Sequence, residues 1–582
     1  MTSLIDAESV LTIEVGSVNT RALLFDVVDG QYHFISAASA PTTAGLPYQD
    51  ISEGVHLAVE RLQEITGRTF VETDYRLILP ARPDGSGVDR LAMLFSAGDD
   101  LRVVTMGLLG DVSLESANRL AEMTYGRVVE RIGLNDTRRT EKQLDAILQA
   151  RPDVLIVAGG TEKGATRSVF KLVELAAMVC RVLPRETRPI VIYCGNGALA
   201  KRAKETLERD AVVGIAPNIR PDIDQEDLDP ASTLLARATA KIRSRQLNGL
   251  EALAGISSVP LTPSAQAFGR MIRFLSSFNE FNPAVGKSVL GVDLGANATT
   301  LAVARAGELQ LGVFRPLGMG SALPVVAQGG RIGDVLRWTP QPVSEAELRD
   351  YIYQKSVCPA SLPLTPETLA LEQAAARAVL ATAMQRMQDR WSLGTPAFDL
   401  VVAGGATLAN AATPAQSLLM ILDGLQPVGV GVYLLDPYGL TQALGAIAAS
   451  NTVLPVQVKD SGVYVNLGTV IAPLSDARPG TVILKIHLVY EEGNDARVEV
   501  KQGSLVVLPV RSGQTAKLTI ETLHGTVLDP AHPRLKSFKV TGGACGVVVD
   551  ARGRPLLLPE EDARRREQLA RWARSLEDRR VV

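Results

Sequence analysis

Cysteine is scarce in this chain of 582 residues: there are four, at positions 180, 194, 358 and 545, and no two have metal-ligand spacing. That excludes a cysteine-built zinc module and fits a reducing, cytoplasmic location. Charge of one sign is also missing. A formal net charge of −3 and a pI near 6.1 give no electrostatic reason to expect nucleic acid as the main partner. No uncharged apolar run reaches the ~20 residues of a membrane helix, and the first residues lack the basic-then-apolar profile of a signal peptide. No membrane partner is therefore expected. The runs of Ala, Val and Leu are read as buried sheet and helix faces.

What the chain has is apolar surface, with 46% hydrophobic against 21% charged residues, and length enough for roughly three to five domains or subdomains. It also has two similar glycine turns. Ile13-Glu14-Val15-Gly16-Ser17-Val18-Asn19-Thr20-Arg21 and Val292-Asp293-Leu294-Gly295-Ala296-Asn297-Ala298-Thr299-Thr300 each place an acid on an apolar strand, then a glycine, then a hydroxyl-bearing returning strand. Backbone N–H groups around such a turn converge on one spot that suits phosphate oxygens, with a carboxylate beside it for Mg²⁺ and its waters. Two copies in series are the pattern of a nucleotide clamped by two similar domains.

The first hairpin leads to a third strand at residues 32–39 and an amphipathic helix at 51–64. From about residue 101 helices and strands alternate, which predicts a mostly parallel sheet inserted into the two-hairpin framework. Two of its strands run into glycine loops that open helices, at residues 157–164 and 194–197, where tight packing and anion binding would both call for glycine. Helices are expected at 231–253, 263–278, 343–354 and 367–391, followed by a buried strand ending in Gly404-Gly405-Ala406 and a small-residue helix around Gly445. Beyond residue 451 the alternation predicts strands throughout, forming a β-sandwich or barrel, and then one amphipathic helix at 560–580.

The order of these signals resembles the phosphate-1, phosphate-2, adenosine and second connecting motifs of the actin/sugar-kinase/heat-shock-chaperone superfamily. More narrowly the chain resembles the MutL-type proteins associated with glutamate mutase, on the segments 106–109, 152–164, 261–263, 292–300 and 317–320. The resemblance implies an α/β, two-lobed actin-like ATPase fold with an inserted α/β subdomain, a C-terminal all-β domain and a terminal helix. The expected bounds are 1–75 for the first lobe, 76–225 for the insert, 226–450 for the second lobe, 451–556 for the β-domain and 557–582 for the helix. It further implies ATP and Mg²⁺ as cofactors. Gly16, Ser17, Asn19 and Thr20 would meet phosphate from one side, Gly295, Asn297, Ala298, Thr299 and Thr300 from the other, and Gly404, Gly405 and Ala406 would pass under the adenosine. Glu14 and Asp293 would hold the metal through water, and Gln266 would orient the attacking water.

The chain departs from the superfamily pattern in having Glu14 for aspartate, Ala296 for a second glycine and Leu301 for a third acid, which leaves binding without efficient turnover open. Two functions follow. One is an ATP-dependent chaperone or reactivation factor for a cobalamin-dependent mutase. The other is a catalytically weak scaffold that self-assembles as a homo-oligomer; a small-molecule kinase is the third, with no acceptor-side base to support it.

Overall fold

Strand β1 (Val10–Val15) is buried along its whole length, with Thr12 and Glu14 among its apolar residues, and this central strand organises the first sheet. It pairs antiparallel with β2 (Asn19–Val28), which pairs with β3 (Gln31–Pro41), and runs parallel to β4 (Arg90–Phe95). The computed structural model describes residues 8–277 and 287–577; positions 1–7 of the first lobe, position 278 of an expected helix and the terminal 578–582 lie outside them. The chain forms two units: Met1–Ala267 with Leu311–Arg315 and Gly445–Thr452, and Phe268–Gln310 with Pro316–Leu444 and Val453–Val582.

In the first unit the helix Ser52–Thr66 lays Val55, Ala58, Val59 and Leu62 on the sheet, as the 3.6-residue spacing predicts. After β4 the chain leaves the sheet to build a second one from β5 (Leu101–Met106), β6 (Gly126–Ile132), β7 (Val154–Val157), β8 (Ile190–Tyr193) and β9 (Val213–Ile215). Its order is β6-β5-β7-β8-β9 and every pairing is parallel, the doubly wound arrangement expected of the βα repeat. The chain then returns through β10 (Thr262–Pro263), which pairs parallel with β4 and completes the order β10-β4-β1-β2-β3. The first lobe therefore extends to Phe95 and resumes at Thr262, where the sequence placed the insert at 76–225. The run Arg90–Phe95 is as apolar as the insert strands, and only its partner separates it from them.

The second unit repeats the plan. Strand β11 (Ser288–Leu294) pairs antiparallel with β12 (Thr299–Arg305) and parallel with β14 (Leu400–Gly404), with β13 (Glu308–Phe314) beside β12 and β15 (Gly429–Asp436) parallel to β14. The two sheets thus share one order: an antiparallel hairpin with a third strand beside it, extended by two parallel strands. That duplicated sheet is the two-lobed, actin-like arrangement expected from the sequence.

The sheet does not stop at residue 450. Strand β16 (Val465–Ala472) pairs antiparallel with β15, and β22 (Val547–Asp550) and β19 (Leu505–Leu508) continue the sheet to eight strands. A four-stranded antiparallel sheet, β18-β17-β20-β21, is formed by β17 (Val482–Tyr490), β18 (Asp495–Lys501), β20 (Thr515–Thr522) and β21 (Ser537–Thr541). Leu484, Ile486, Leu518 and Ile520 of this sheet share one core with Ile471, Leu508, Val547 and Val549 of the larger. The C-terminal strands and the terminal helix Asp562–Glu577 are present as expected, but one layer of the sandwich is the actin-like sheet itself. Two smaller differences arise at turns. The helix expected at 231–253 is two, Asp229–Gln246 and Leu250–Ile256, separated at Gly249 (φ +80°), and a short helix Val453–Asp460 precedes the C-terminal strands. Among the described residues no helix is long and apolar enough to cross a membrane.

Candidate functional site

The two hairpins close in the same way. Gly16 N–H donates to the Asn19 carbonyl at 3.0 Å, and Gly295 N–H to the Ala298 carbonyl at 3.1 Å. Neither glycine adopts the left-handed conformation; what each position requires is the lack of a side chain. A Cβ at Gly16 would lie 2.5 Å from the Asn19 oxygen, and one at Gly295 2.7 Å from the Ala298 oxygen. Accessibility also repeats. Gly16, Ser17, Val18 and Asn19 are half-buried and Thr20 is fully buried, as are Gly295 to Ala298 and Thr299. Groups able to meet phosphate are therefore those of the four turn residues, while Thr20, Thr299 and Thr300 belong to the core behind them. Thr20 Oγ1 lies 3.3 Å from Thr42 Oγ1, and Thr299 Oγ1 donates to the Leu317 carbonyl at 2.9 Å.

The segment Leu317-Gly318-Met319-Gly320 braces the second turn. Met319 N–H donates to the Gly295 carbonyl at 2.9 Å and Gly320 N–H to the Ala296 carbonyl at 2.8 Å. Two carbonyls of the turn, those of Gly295 and Ala296, are thereby engaged. Ser321 Oγ also donates to Asn297 Oδ1, so the Asn297 side chain is held by the same segment.

The carboxylates differ. Register places Glu14 opposite Arg21 and Asp293 opposite Thr300, so an arginine stands in the first hairpin where the second has a threonine. Arg21 Nη1 lies 3.3 Å from Glu14 Oε2, and the Glu14 side chain is only 10% exposed. A carboxylate already paired to a guanidinium is a poor site for a dication. Asp293 is half-buried and stands opposite Thr300 in the register. Among the described residues no three His, Cys, Asp or Glu side chains gather to hold a metal, so such an ion would draw most of its ligands from water and phosphate. Leu301 is fully buried, on the face where an acid would meet only core.

Gly404 and Gly405 end β14 in line with Asp293: the register aligns Asp293 with Gly404 and Gly404 with Asp436. Gly405 (φ +102°) packs onto the Leu294 backbone, and Ala406 begins the short helix Ala406–Ala409. Asp436 is a residue the motif search missed. Its buried carboxylate accepts from the N–H groups of Tyr438, Gly439, Leu440 and Thr441 and from the Thr441 hydroxyl, which caps the helix Leu440–Ile447 and leaves little capacity for a ligand. The run Asp436-Pro437-Tyr438-Gly439-Leu440-Thr441 carried that capping signal. Gln266, on the helix Ser264–Ser276, donates through Nε2 to the Met123 carbonyl at 3.3 Å, a packing role at the insert. The insert's glycine loops are likewise explained by packing, since a Cβ at Gly195 would lie 2.8 Å from the Gly159 oxygen.

Among solved structures, gluconate kinase from Lactobacillus acidophilus is 8% identical, covering 78% of this chain and 92% of its own, with a TM-score of 0.31. Xylulose kinase from Bifidobacterium adolescentis is 12% identical over 77% of this chain and 94% of its own, with a TM-score of 0.28. The ethanolamine utilization protein EutJ from Carboxydothermus hydrogenoformans is 10% identical over 77% and 91%, with a TM-score of 0.25. Likeness at this level says nothing about ligands. Protein MutL of Clostridium tetanomorphum is 21% identical over 296 residues, which are 50% of this chain and 57% of that relative, so the match spans little more than half of its length. The family model described as MutL protein matches residues 10–462, well over half of the chain. The chain belongs to the MutL protein family.

Proposed function

We propose that this chain is an ATP-binding, actin-like chaperone or reactivation factor for a cobalamin-dependent mutase such as glutamate mutase. The observation that carries the nucleotide part is the recurrence, in both units, of one turn with the same closing hydrogen bond, the same tight glycine and the same four accessible residues. The client is inferred from family membership. Backbone N–H groups of residues 17–19 and 296–298 would donate to phosphate, and Asp293 would hold the waters of Mg²⁺, whose charge would neutralise the phosphate oxygens. The ion pair of Glu14 with Arg21 favours a slow or binding-only form of this activity, and with it the scaffold reading.

A thermal-shift titration tests the nucleotide reading. Saturation at a hundredfold excess over Kd stabilises a native state by about 2.7 kcal/mol, so Mg·ATP is expected to raise Tm by several degrees. Asp293→Ala is expected to retain a response to ATP while losing the added effect of Mg²⁺. A wild-type Tm indifferent to ATP would sink the proposal; stabilisation by ATP without mutase co-purification would leave the scaffold. Arg21→Met should release Glu14 for the metal, lowering the Mg²⁺ concentration at half-maximal shift by roughly three- to tenfold. An unchanged midpoint would mean that the ion pair does not restrain metal binding.

A further inference from the structure

In the second unit, a cavity of about 740 Å³ opens among the loop around Ser475 and Gly480, the turn after β18, the segment after β22 and one face of the terminal helix. That volume lies in the range of small-molecule sites. Its lining is cationic: Lys501, Arg554 and Arg571 contribute to it, with the buried Arg552 behind them, against the single acid Asp476. Trp572 forms one wall and is fixed there, its Nε1 donating to the Gly503 carbonyl at 3.4 Å and its ring lying 4.8 Å from the Arg552 guanidinium.

The charge beneath the cavity points the same way. Arg552 is completely buried, with Nε and Nη2 on Asp550 at 2.8 and 2.9 Å and Nη1 on Asp423 at 2.7 Å. Arg554 Nη2 also binds Asp550, at 2.6 Å, and Arg377 Nε binds Asp423 at 2.7 Å. Three guanidiniums thus share two carboxylates, which leaves one positive charge without an acidic counterpart in this buried group. Excess charge of one sign in a poorly solvated place is unfavourable unless an opposite charge approaches it. At the mouth, Lys501 and Arg571 are exposed, the latter in a surface pair with Glu567 at 3.1 Å that screening leaves weak.

We propose that this cavity binds a small anion carrying two or more negative charges, of phosphate or polycarboxylate chemistry, with its charge toward Arg554 and Lys501 and its body against Trp572. The site lies outside residues 10–462 matched by the family model and is independent of the nucleotide reading. Because one wall is the helix Asp562–Glu577, an occupant would tie that helix to the sheet.

The test is a titration of the full chain with pyrophosphate and, separately, citrate at constant ionic strength, read by Tm and by tryptophan emission. Saturable stabilisation by either anion is expected, and the stronger of the two identifies the chemistry. The Lys501→Ala, Arg571→Ala double variant removes only exposed groups and should weaken apparent affinity by about tenfold. The same double variant should keep the Mg·ATP stabilisation of the hairpins, which separates this site from them. No saturable response to either anion, a response that the double variant keeps in full, or a double variant that loses its Mg·ATP stabilisation as well would each overturn the proposal.

Discussion

Asp550→Ala is expected to destabilise the second unit by about 3–5 kcal/mol, the cost of leaving a buried ion without its partner. Asp550 is completely shielded from solvent at the side chain and accepts from Arg552 through both oxygens and from Arg554 through Oδ2. Burial by itself would push its carboxyl up, but the charges and hydrogen bonds of Arg552 and Arg554 together outweigh it and hold the group well below the usual carboxylate range. Removing it leaves Arg554 with no carboxylate partner and Arg377 and Arg552 on Asp423 alone. Urea unfolding followed by circular dichroism should show the loss, whereas removing the exposed partner Glu567 should change stability by less than about 1 kcal/mol. The pH dependence has a definite sign. A folded-state pKa below the unfolded value contributes stability that is present above the unfolded carboxylate pKa of about 4 and is lost as pH falls toward the folded value. Asp550→Asn should therefore flatten part of the acid-side loss of stability below about pH 5. An Asp550→Ala variant as stable as the wild type would show that the buried arginines find other partners.

This network was invisible in the sequence, and the hairpins were not, for one physical reason. A hairpin is specified by neighbours: acid, apolar strand, glycine and returning hydroxyls lie within nine positions, so its turn could be placed by inspection. The Glu14–Arg21 pair follows from the same turn, which sets position 15 opposite 20 and 14 opposite 21, but Glu14 was read from the sequence only as a metal carboxylate. Asp423 and Arg552, by contrast, are 129 positions apart and meet through the packing of elements whose order no local pattern reveals. The same limit governed the sheets. Alternation correctly marked β16 as a strand, yet whether it pairs with β15 or begins a separate sandwich depends on its edge partner. The helix around Gly445 was recognised from its small residues, and the structure supplies the cause: a side chain there would collide with the Ala267 carbonyl of the neighbouring helix. Burial of Thr20 and Thr299 was not legible, since a hydroxyl can serve a phosphate or a backbone carbonyl equally well.

Gly405→Ala is expected to be the second severe change, costing about 2–6 kcal/mol from backbone strain of about 1–3 and steric overlap of similar size. At φ +102° and ψ +148° the backbone occupies a region open almost only to glycine. An added Cβ would be driven into the Leu294 backbone, 2.7 Å from its carbonyl carbon and closer still to its oxygen. Leu294 is the last residue of β11, one position after Asp293 and one before the turn glycine, so relief of the overlap would displace the second hairpin. Gly404 is the internal control. A Cβ there would meet nothing nearer than the Asp436 oxygen at 3.5 Å, an ordinary contact. If the pair serves packing, Gly404→Ala should keep its urea midpoint and its Mg·ATP response, while Gly405→Ala loses both. If instead the two glycines serve by lying beneath a bound nucleoside, both variants should lose the ATP response and Gly405→Ala should unfold at nearly the wild-type urea concentration. Because the two glycines are adjacent yet differ in φ and in what lies against them, the midpoint of Gly405→Ala separates a scaffold requirement from a ligand requirement without any assumption about the nucleotide's pose.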